Sequence, residues 1–128
     1  MIIAAEQELG AQFPPSYRRF LATYGAALCG GFEIAGLFEG DYQNEPPLWS
    51  DVVTYTNQLR RASGGLLPPD HVAISDDGGD YNFFLATSLY SLENECPVVV
   101  IGPGAHGVVV ADDFLDFVVR VFENRVEF

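Results

Sequence analysis

Apolar positions recur at helical spacing in the first part of the chain and predict two short helices. The run from Ile2 to Leu9 predicts the first helix, which Gly10 ends. Pro14-Pro15 opens the second, because proline is well tolerated in a first helical turn. Before Gly25 ends this helix, its apolar stripe follows an i, i+3, i+4, i+7 pattern: Tyr17, Phe20, Leu21 and Tyr24.

The middle of the chain predicts a short strand, a long loop and a third helix. Phe32-Glu33-Ile34 is the candidate strand, and residues 38–49 are rich in turn-forming and acidic residues that predict the loop. Ser50 is expected to cap the helix, with Asp51 in its first turn. One helix face is mainly apolar: Val52, Tyr55, Thr56 and Leu59.

After Pro68-Pro69 the apolar spacing changes from that of a helix to that of strands. Residues 72–75 and 81–86 predict the two strands of a hairpin, joined by the turn at residues 76–80. Pro97 to Ile101 is wholly apolar and predicts a central strand, and Val108 to Val110 predicts another. Residues 102–107 predict a β-turn between them, since no Lys-Ser/Thr pair follows the glycines as in a phosphate loop.

A last helix is predicted to start at Asp112 or Asp113, with Asp113 and Asp116 flanking its first turn like a capping box. Its apolar residues cover a broad arc, so we expect it to pack deeply: Phe114, Leu115, Phe117, Val118, Val119, Val121 and Phe122. The order of elements predicts one α+β domain over residues 1–128, with a mainly antiparallel central sheet and flanking helices. Its simplest form places the helices on one face of the sheet.

The net charge of the chain limits which classes of macromolecule it is expected to bind. Eighteen acidic residues face six basic ones, all arginine, for a formal charge of -12. Such a surface repels nucleic acid and anionic membranes, so we expect neither as a partner. A basic protein would instead be attracted and steered to it. Solubility alone is the other explanation of the charge.

The cysteines and the N-terminus favour a cytoplasmic protein. The apolar run from Met1 to Ala5 is interrupted by Glu6 and is too short for the core of a signal peptide. Cys29 and Cys96 are therefore expected to be reduced. Cys96 stands beside a proline at the start of a strand, where a small buried side chain is expected.

Candidate catalytic and metal-binding groups are few. Asp76, Asp77 and Asp80 lie in a glycine-rich turn, but the spacing of a calcium loop is absent. His71 and His106 have no metal-binding spacing with each other or with the cysteines. No nucleophile, base and orienting group are recognisable together. We therefore expect a protein that is not an enzyme and has no metal or cofactor.

Two acidic segments are predicted to bind protein. Large aromatic side chains accompany carboxylates in the long loop, and interfaces favour aromatic anchors beside complementary charge. The predicted binding residues are Glu39, Asp41, Tyr42, Glu45, Trp49, Asp76, Asp77 and Asp80. For Tyr42 and Trp49 the alternative is that they cover the core, and for the acids that they face solvent only.

An ordered set of short motifs runs from about Glu6 to Glu123, nearly the whole chain. The set comprises Glu8-Leu9-Gly10, Pro14, Tyr17, Phe20-Leu21, Tyr24-Gly25, Leu67-Pro68, Ala73-Ile74-Ser75, Gly78-Gly79, Pro97-Val98 and Phe114-Leu115-Asp116-Phe117-Val118. In order and spacing, together with the predicted helix at residues 52–61, these motifs resemble the SUKH superfamily.

This resemblance implies an α+β fold and a role in binding other proteins. Many bacterial members are immunity proteins that neutralise polymorphic toxins, often nucleases, whereas fungal relatives regulate cell-wall assembly and signalling. The expected partner is thus a cognate, basic toxin domain or another basic protein. A housekeeping adaptor that binds an endogenous partner is the alternative. The chain is expected to be a monomer or a homodimer, since exposed sheet edges can pair.

Overall fold

The computed structural model describes residues 1–25, 27–29, 31–37 and 51–128. The helices of the described residues are α1 (Ile2–Leu9), α2 (Pro15–Thr23), α3 (Val52–Ala62) and α4 (Phe114–Phe122). The strands are β1 (Ala27–Cys29), β2 (Phe32–Ile34), β3 (His71–Asp76), β4 (Asn82–Ala86), β5 (Val98–Gly102) and β6 (Ala105–Ala111). None of these helices has both the length and the apolar character that crossing a bilayer requires.

The six described strands form one sheet in which each strand pairs antiparallel with the next along the chain. The predicted α+β class, hairpin and internal position of β5 are confirmed. β4 starts at Asn82, one residue later than predicted. β6 starts at Ala105 because the turn before it is only two residues long: Gly102 pairs directly with Ala105, and Gly104 takes a φ of 74°.

Both faces of the sheet are buried at β4, whereas much of β6 is exposed. Alternate residues of β4 show this: Phe83 and Leu85 belong to a large core with residues of α1, α2 and α4, whereas Phe84 and Ala86 belong to a smaller cluster on the other face. Successive side chains of a strand point to opposite faces, so a continuous apolar strand needs cover on both sides.

α3 lies along an edge of β3, and its side chains reach both clusters. β2 has three residues and pairs only with Ser75 and Asp76, so on that edge the start of β3 has no neighbouring strand among the described residues. There the Thr56 hydroxyl oxygen accepts a hydrogen bond from the Ala73 backbone N–H at 2.9 Å. The expected arrangement with all helices on one face is therefore wrong for α3, because the short β2 leaves backbone groups that a helix must satisfy.

Carboxylates cap three of the helices. Asp51, not Ser50, is the N-cap of α3, where its side chain accepts from the N–H groups of Val53 and Thr54. In α4 the Asp113 carboxylate accepts from the Asp116 N–H at 2.7 Å. The N-terminus of α2 has no local cap, and Glu95, 79 residues further along the chain, accepts from the Ser16 N–H at 3.0 Å instead.

The predicted deep packing of α4 is wrong for one face of the helix. Phe114, Phe117 and Val121 are buried against the sheet, but Leu115 is 63%, Val119 39% and Phe122 71% exposed. Tyr24, predicted in the apolar stripe of α2, is 73% exposed. A helix that lies on a sheet buries one stripe, and the apolar arc of α4 is wider than that contact.

Candidate protein-interaction surface

The structure brings three of the predicted binding residues together at one turn. Asp76 ends β3, and Asp77 and Asp80 lie in the turn that leads to β4. We call residues 76–80 the acidic turn. The other predicted residues, Glu39, Asp41, Tyr42, Glu45 and Trp49, lie outside the described residues, so their role stays a prediction.

Side-chain oxygens of the acids shape the acidic turn. The Asp76 carboxylate accepts a hydrogen bond from the Gly78 N–H at 2.8 Å, and the Asp77 carboxylate accepts one from the Gly79 N–H at 2.9 Å. Each contact spans two residues, the pattern of an Asx-turn. Gly78 adopts a φ of 81°, which glycine allows without strain. The turn therefore has a defined backbone and an anionic surface.

The described arginines are engaged elsewhere or lie on other elements. Arg18 pairs with Glu6, Arg120 with Asp116, and Arg125 with Glu123. Arg60 donates to the carbonyl oxygens of Leu9 and Pro69. Within the described part of the chain, no ion pair involves the carboxylates of the acidic turn. Its negative charge is therefore available to a partner.

Glu33 adds a further carboxylate beside the acidic turn. In the pairing of β2 with β3, Glu33 stands directly opposite Asp76. Like charges at such a position repel each other and raise the local negative potential. Glu33 is not among the residues predicted from the sequence, because strand register places it there and no local motif signals it.

The partly buried phenol of Tyr55 lies within this negative potential. Tyr55 of α3 donates from its hydroxyl to the Ser75 carbonyl oxygen at 3.1 Å and is hydrogen-bonded to the Asn82 side chain. Burial first, and then the carboxylates of Asp76, Glu33 and Asp77, raise the pKa of Tyr55 well above its usual value. The Tyr55 contacts also tie β3 and β4 to α3, directly behind the acidic turn.

Three strand connections meet at this end of the sheet. A Cβ atom at Gly78 would lie 3.7 Å from the Gly31 carbonyl oxygen, so Gly31, which directly precedes β2, lies next to the acidic turn. On the other side, the Tyr81 hydroxyl donates to the Pro103 carbonyl oxygen at 2.8 Å. The Tyr81 ring occupies the space that a Cβ at Gly102 would need. Neighbouring connections thus hold the acidic turn from both sides.

The remaining candidate chemical groups are dispersed. His71 contacts Asp70 at 2.9 Å at the start of β3, whereas His106 is exposed on β6. Their strands, β3 and β6, are three strand spacings apart, roughly 14 Å at about 4.8 Å per strand. Cys96 is buried, as predicted, and burial, with the nearby charges of Glu95, Asp113 and Asp70, raises the pKa of its thiol to about 12. Among the described residues, no group of three or more His, Cys, Asp or Glu is placed to hold a metal ion.

Fold and surface together define an α+β protein with a sheet that presents an acidic turn at one end. The model of the SUKH_5 family, described as SMI1-KNR4 cell-wall, matches residues 1–123. The chain therefore belongs to this family and to the SUKH superfamily. Superfamily members are in general non-enzymatic immunity or regulatory domains, which supports that broad class for this chain. No curated protein matches the chain.

Proposed function

We propose that this chain is a bacterial, cytoplasmic immunity protein that binds and neutralises a cognate basic toxin domain without catalysis. The observation that carries the proposal is the acidic turn. Its carboxylates have no ion-pair partner among the described residues, and strands β3 and β4 hold it in a defined shape.

Electrostatics explains how such a surface would work. A toxin that cleaves nucleic acid needs cationic residues around its substrate groove, since these contact phosphate. An anionic protein surface of matching shape is attracted to that groove and excludes the substrate. Complementary charge raises the association rate by steering the encounter, and this gain falls as salt screens the charges. A preformed turn also loses little conformational entropy on binding.

Co-expression tests the proposal directly. The partner to use is a toxin domain encoded beside this gene, produced with and without the present chain. We expect the chain to restore growth and to co-purify with the toxin as a stable complex. Continued toxicity, with no complex formed by the purified proteins, would contradict the immunity function.

Charge-neutral variants test the surface. Asp77→Asn with Asp80→Asn removes two charges, while asparagine keeps the side-chain oxygen that accepts from the Gly79 N–H. We expect an association rate about 3- to 10-fold lower at low salt, and a weaker dependence on salt. Glu8→Gln with Glu93→Gln is the matched control, since it removes two exposed carboxylates elsewhere. Equal association rates for both pairs would remove the acidic turn from the interface.

The description of the matched family favours a second candidate function. Its words, SMI1-KNR4 cell-wall, suit a regulatory adaptor that binds an endogenous protein. The neighbouring gene discriminates the two candidates: a large secreted protein with a variable C-terminal domain supports immunity, and its absence supports the adaptor. Pull-down of an endogenous protein that depends on Asp77 and Asp80 would assign the same surface to the adaptor role.

A further inference from the structure

α4 carries a second apolar stripe that faces solvent. Leu115, Val119 and Phe122 are exposed, and their i, i+4, i+7 spacing places them in one line along the helix. This stripe adjoins the residues that α4 packs against the sheet, so the apolar arc of the helix continues from the core to the surface. Exposed apolar side chains in a continuous line indicate an interaction surface, in contrast to scattered single ones.

An apolar groove of about 540 Å³ runs beside this stripe, between α2 and α4. Arg19 of α2 and Tyr24, which directly follows α2, line one wall. Leu115 and Phe122 of α4 line the other, and Ile34 of β2 contributes to the groove as well. An exposed ridge beside a groove is the shape by which two helices pack, because the ridge of one fits the groove of the other.

Charge indicates what fits the groove. Arg19 is the one charged side chain among the described residues that line it, and it has no hydrogen bond or ion pair within the described part of the chain. A fitting occupant is therefore an apolar helix that carries a carboxylate. The exposed stripe of α4 has this chemistry, since the exposed Asp112, which has no ion pair within the described residues, lies just before the helix.

We propose that two copies of this chain form a two-fold symmetric dimer, in which the Leu115–Val119–Phe122 stripe of each copy packs into the α2–α4 groove of the other. A two-fold axis makes the same patch serve both copies, so ridge and groove are buried together. It also gives each Arg19 a carboxylate at one end of the opposite stripe. The acidic turn, on a sheet connection, is not part of this interface.

The dimer is expected to be weak and to strengthen with salt. α4 has nine residues, a length of roughly 13 Å, so the area buried per copy is below the ~800 Å² of a standard interface. Each copy carries a formal charge of -12, and salt screens the repulsion between copies while leaving apolar contact intact. Association with a basic partner has the opposite salt dependence.

Sedimentation of the full chain from about 1 µM to about 1 mM, at low and high salt, tests the proposal. Leu115→Glu with Phe122→Glu is expected to lower the association constant at least about tenfold. Leu66→Glu with Leu92→Glu adds the same charge at exposed leucines away from the groove, and is expected to leave a larger fraction of dimer. The association constant of the Arg19→Glu variant is compared with that of the Arg61→Glu variant, because Arg61 is an exposed arginine of α3.

Several outcomes would overturn the dimer. One is a monomer at every concentration and salt level. Another is a dimer that the groove variants leave intact, which would assign self-association to another surface, such as the exposed edge of β6. A third is a monomeric chain whose groove variants lose toxin binding, which would make a foreign protein the occupant. Growth rescue tests the proposed immunity function separately. The dimer can therefore be contradicted while the immunity function stands, and the reverse is also true.

Discussion

The Glu6 side chain joins α1 to α2 and is only 9% exposed. Its carboxylate accepts a hydrogen bond from the Phe13 N–H at 2.6 Å and pairs with Arg18. A buried carboxylate is stabilising only while such partners are present, because burial removes its hydration. Glu6 therefore fixes how the chain enters α2, whose Tyr17 and Phe20 belong to the large core.

Replacing Glu6 by alanine is expected to lower the free energy of unfolding by about 2–4 kcal/mol, since the Phe13 N–H and the Arg18 guanidinium lose their acceptor. Urea unfolding followed by circular dichroism measures the change. Glu8→Ala is the control: Glu8 is exposed on the same helix, and its loss is expected to cost less than about 0.5 kcal/mol. Equal costs for the two variants would show that the Glu6 contacts add no stability.

Among the secondary-structure elements, α4 has the clearest electrostatic cap. The Asp116 carboxylate accepts from the Asp112 N–H at 3.0 Å and from Arg120 at 3.1 Å. The backbone hydrogen bond chiefly lowers the pKa of Asp116; partial burial opposes this shift, and Arg120 adds to it. The ionised form is thus favoured in the folded state.

Asp116→Asn is therefore expected to destabilise the protein in a pH-dependent way. The folded pKa of Asp116 lies below the unfolded value of about 3.9, so the contribution of the carboxylate to stability is complete above that value and disappears as pH falls through the folded pKa. At pH 7 we expect a loss of about 1 kcal/mol in urea unfolding, shrinking as pH falls below about 4. Asp112→Asn, an exposed neighbour, is expected to cost less than about 0.5 kcal/mol at pH 7. A difference that persists undiminished at low pH would rule out the charge as its cause.

Local sequence patterns predicted most helices and strands, because residues close together in the sequence determine where these elements form. Apolar alternation located β4, and the spacing of Asp113 and Asp116 located the start of α4. Contacts between distant segments had no such signal. The hydrogen bond between Thr56 and Ala73 depends on how short β2 is, and the position of Glu33 opposite Asp76 depends on strand register.

In the candidate site, too, the features set by neighbouring residues were predicted, and those set by contacts between distant segments were not. Glycines and acids in sequence predicted the acidic turn, which the structure places between β3 and β4. The exposure of Leu115 and Phe122 was not predicted, because periodicity shows that a residue is apolar but not whether a neighbouring element covers it.

For the whole molecule, the formal charge of -12 dominates the long-range electrostatics. Folding brings these charges closer together, so their mutual repulsion destabilises the compact state. Salt shortens the screening length to about 10 Å at 0.1 M and weakens this repulsion.

The free energy of unfolding is therefore expected to rise as sodium chloride increases from about 20 mM to about 500 mM. Urea is the denaturant to use, because it carries no charge and leaves the ionic strength unchanged. The ion pairs of Arg18, Arg120 and Arg125 act in the opposite direction, but they are few beside the excess of acids. A fall in stability with salt would mean that these pairs outweigh the net repulsion.

The order of strands in the sheet has a consequence for biosynthesis. Because each strand pairs with its predecessor along the chain, every new strand made by a ribosome has its neighbour already formed. α4 is synthesised after the six described strands, and its Phe114 and Phe117 complete the large core. Until Phe114 and Phe117 emerge from the exit tunnel, α1 and α2 cover that apolar face of the nascent sheet only in part, and the uncovered part is a site where a chaperone would bind.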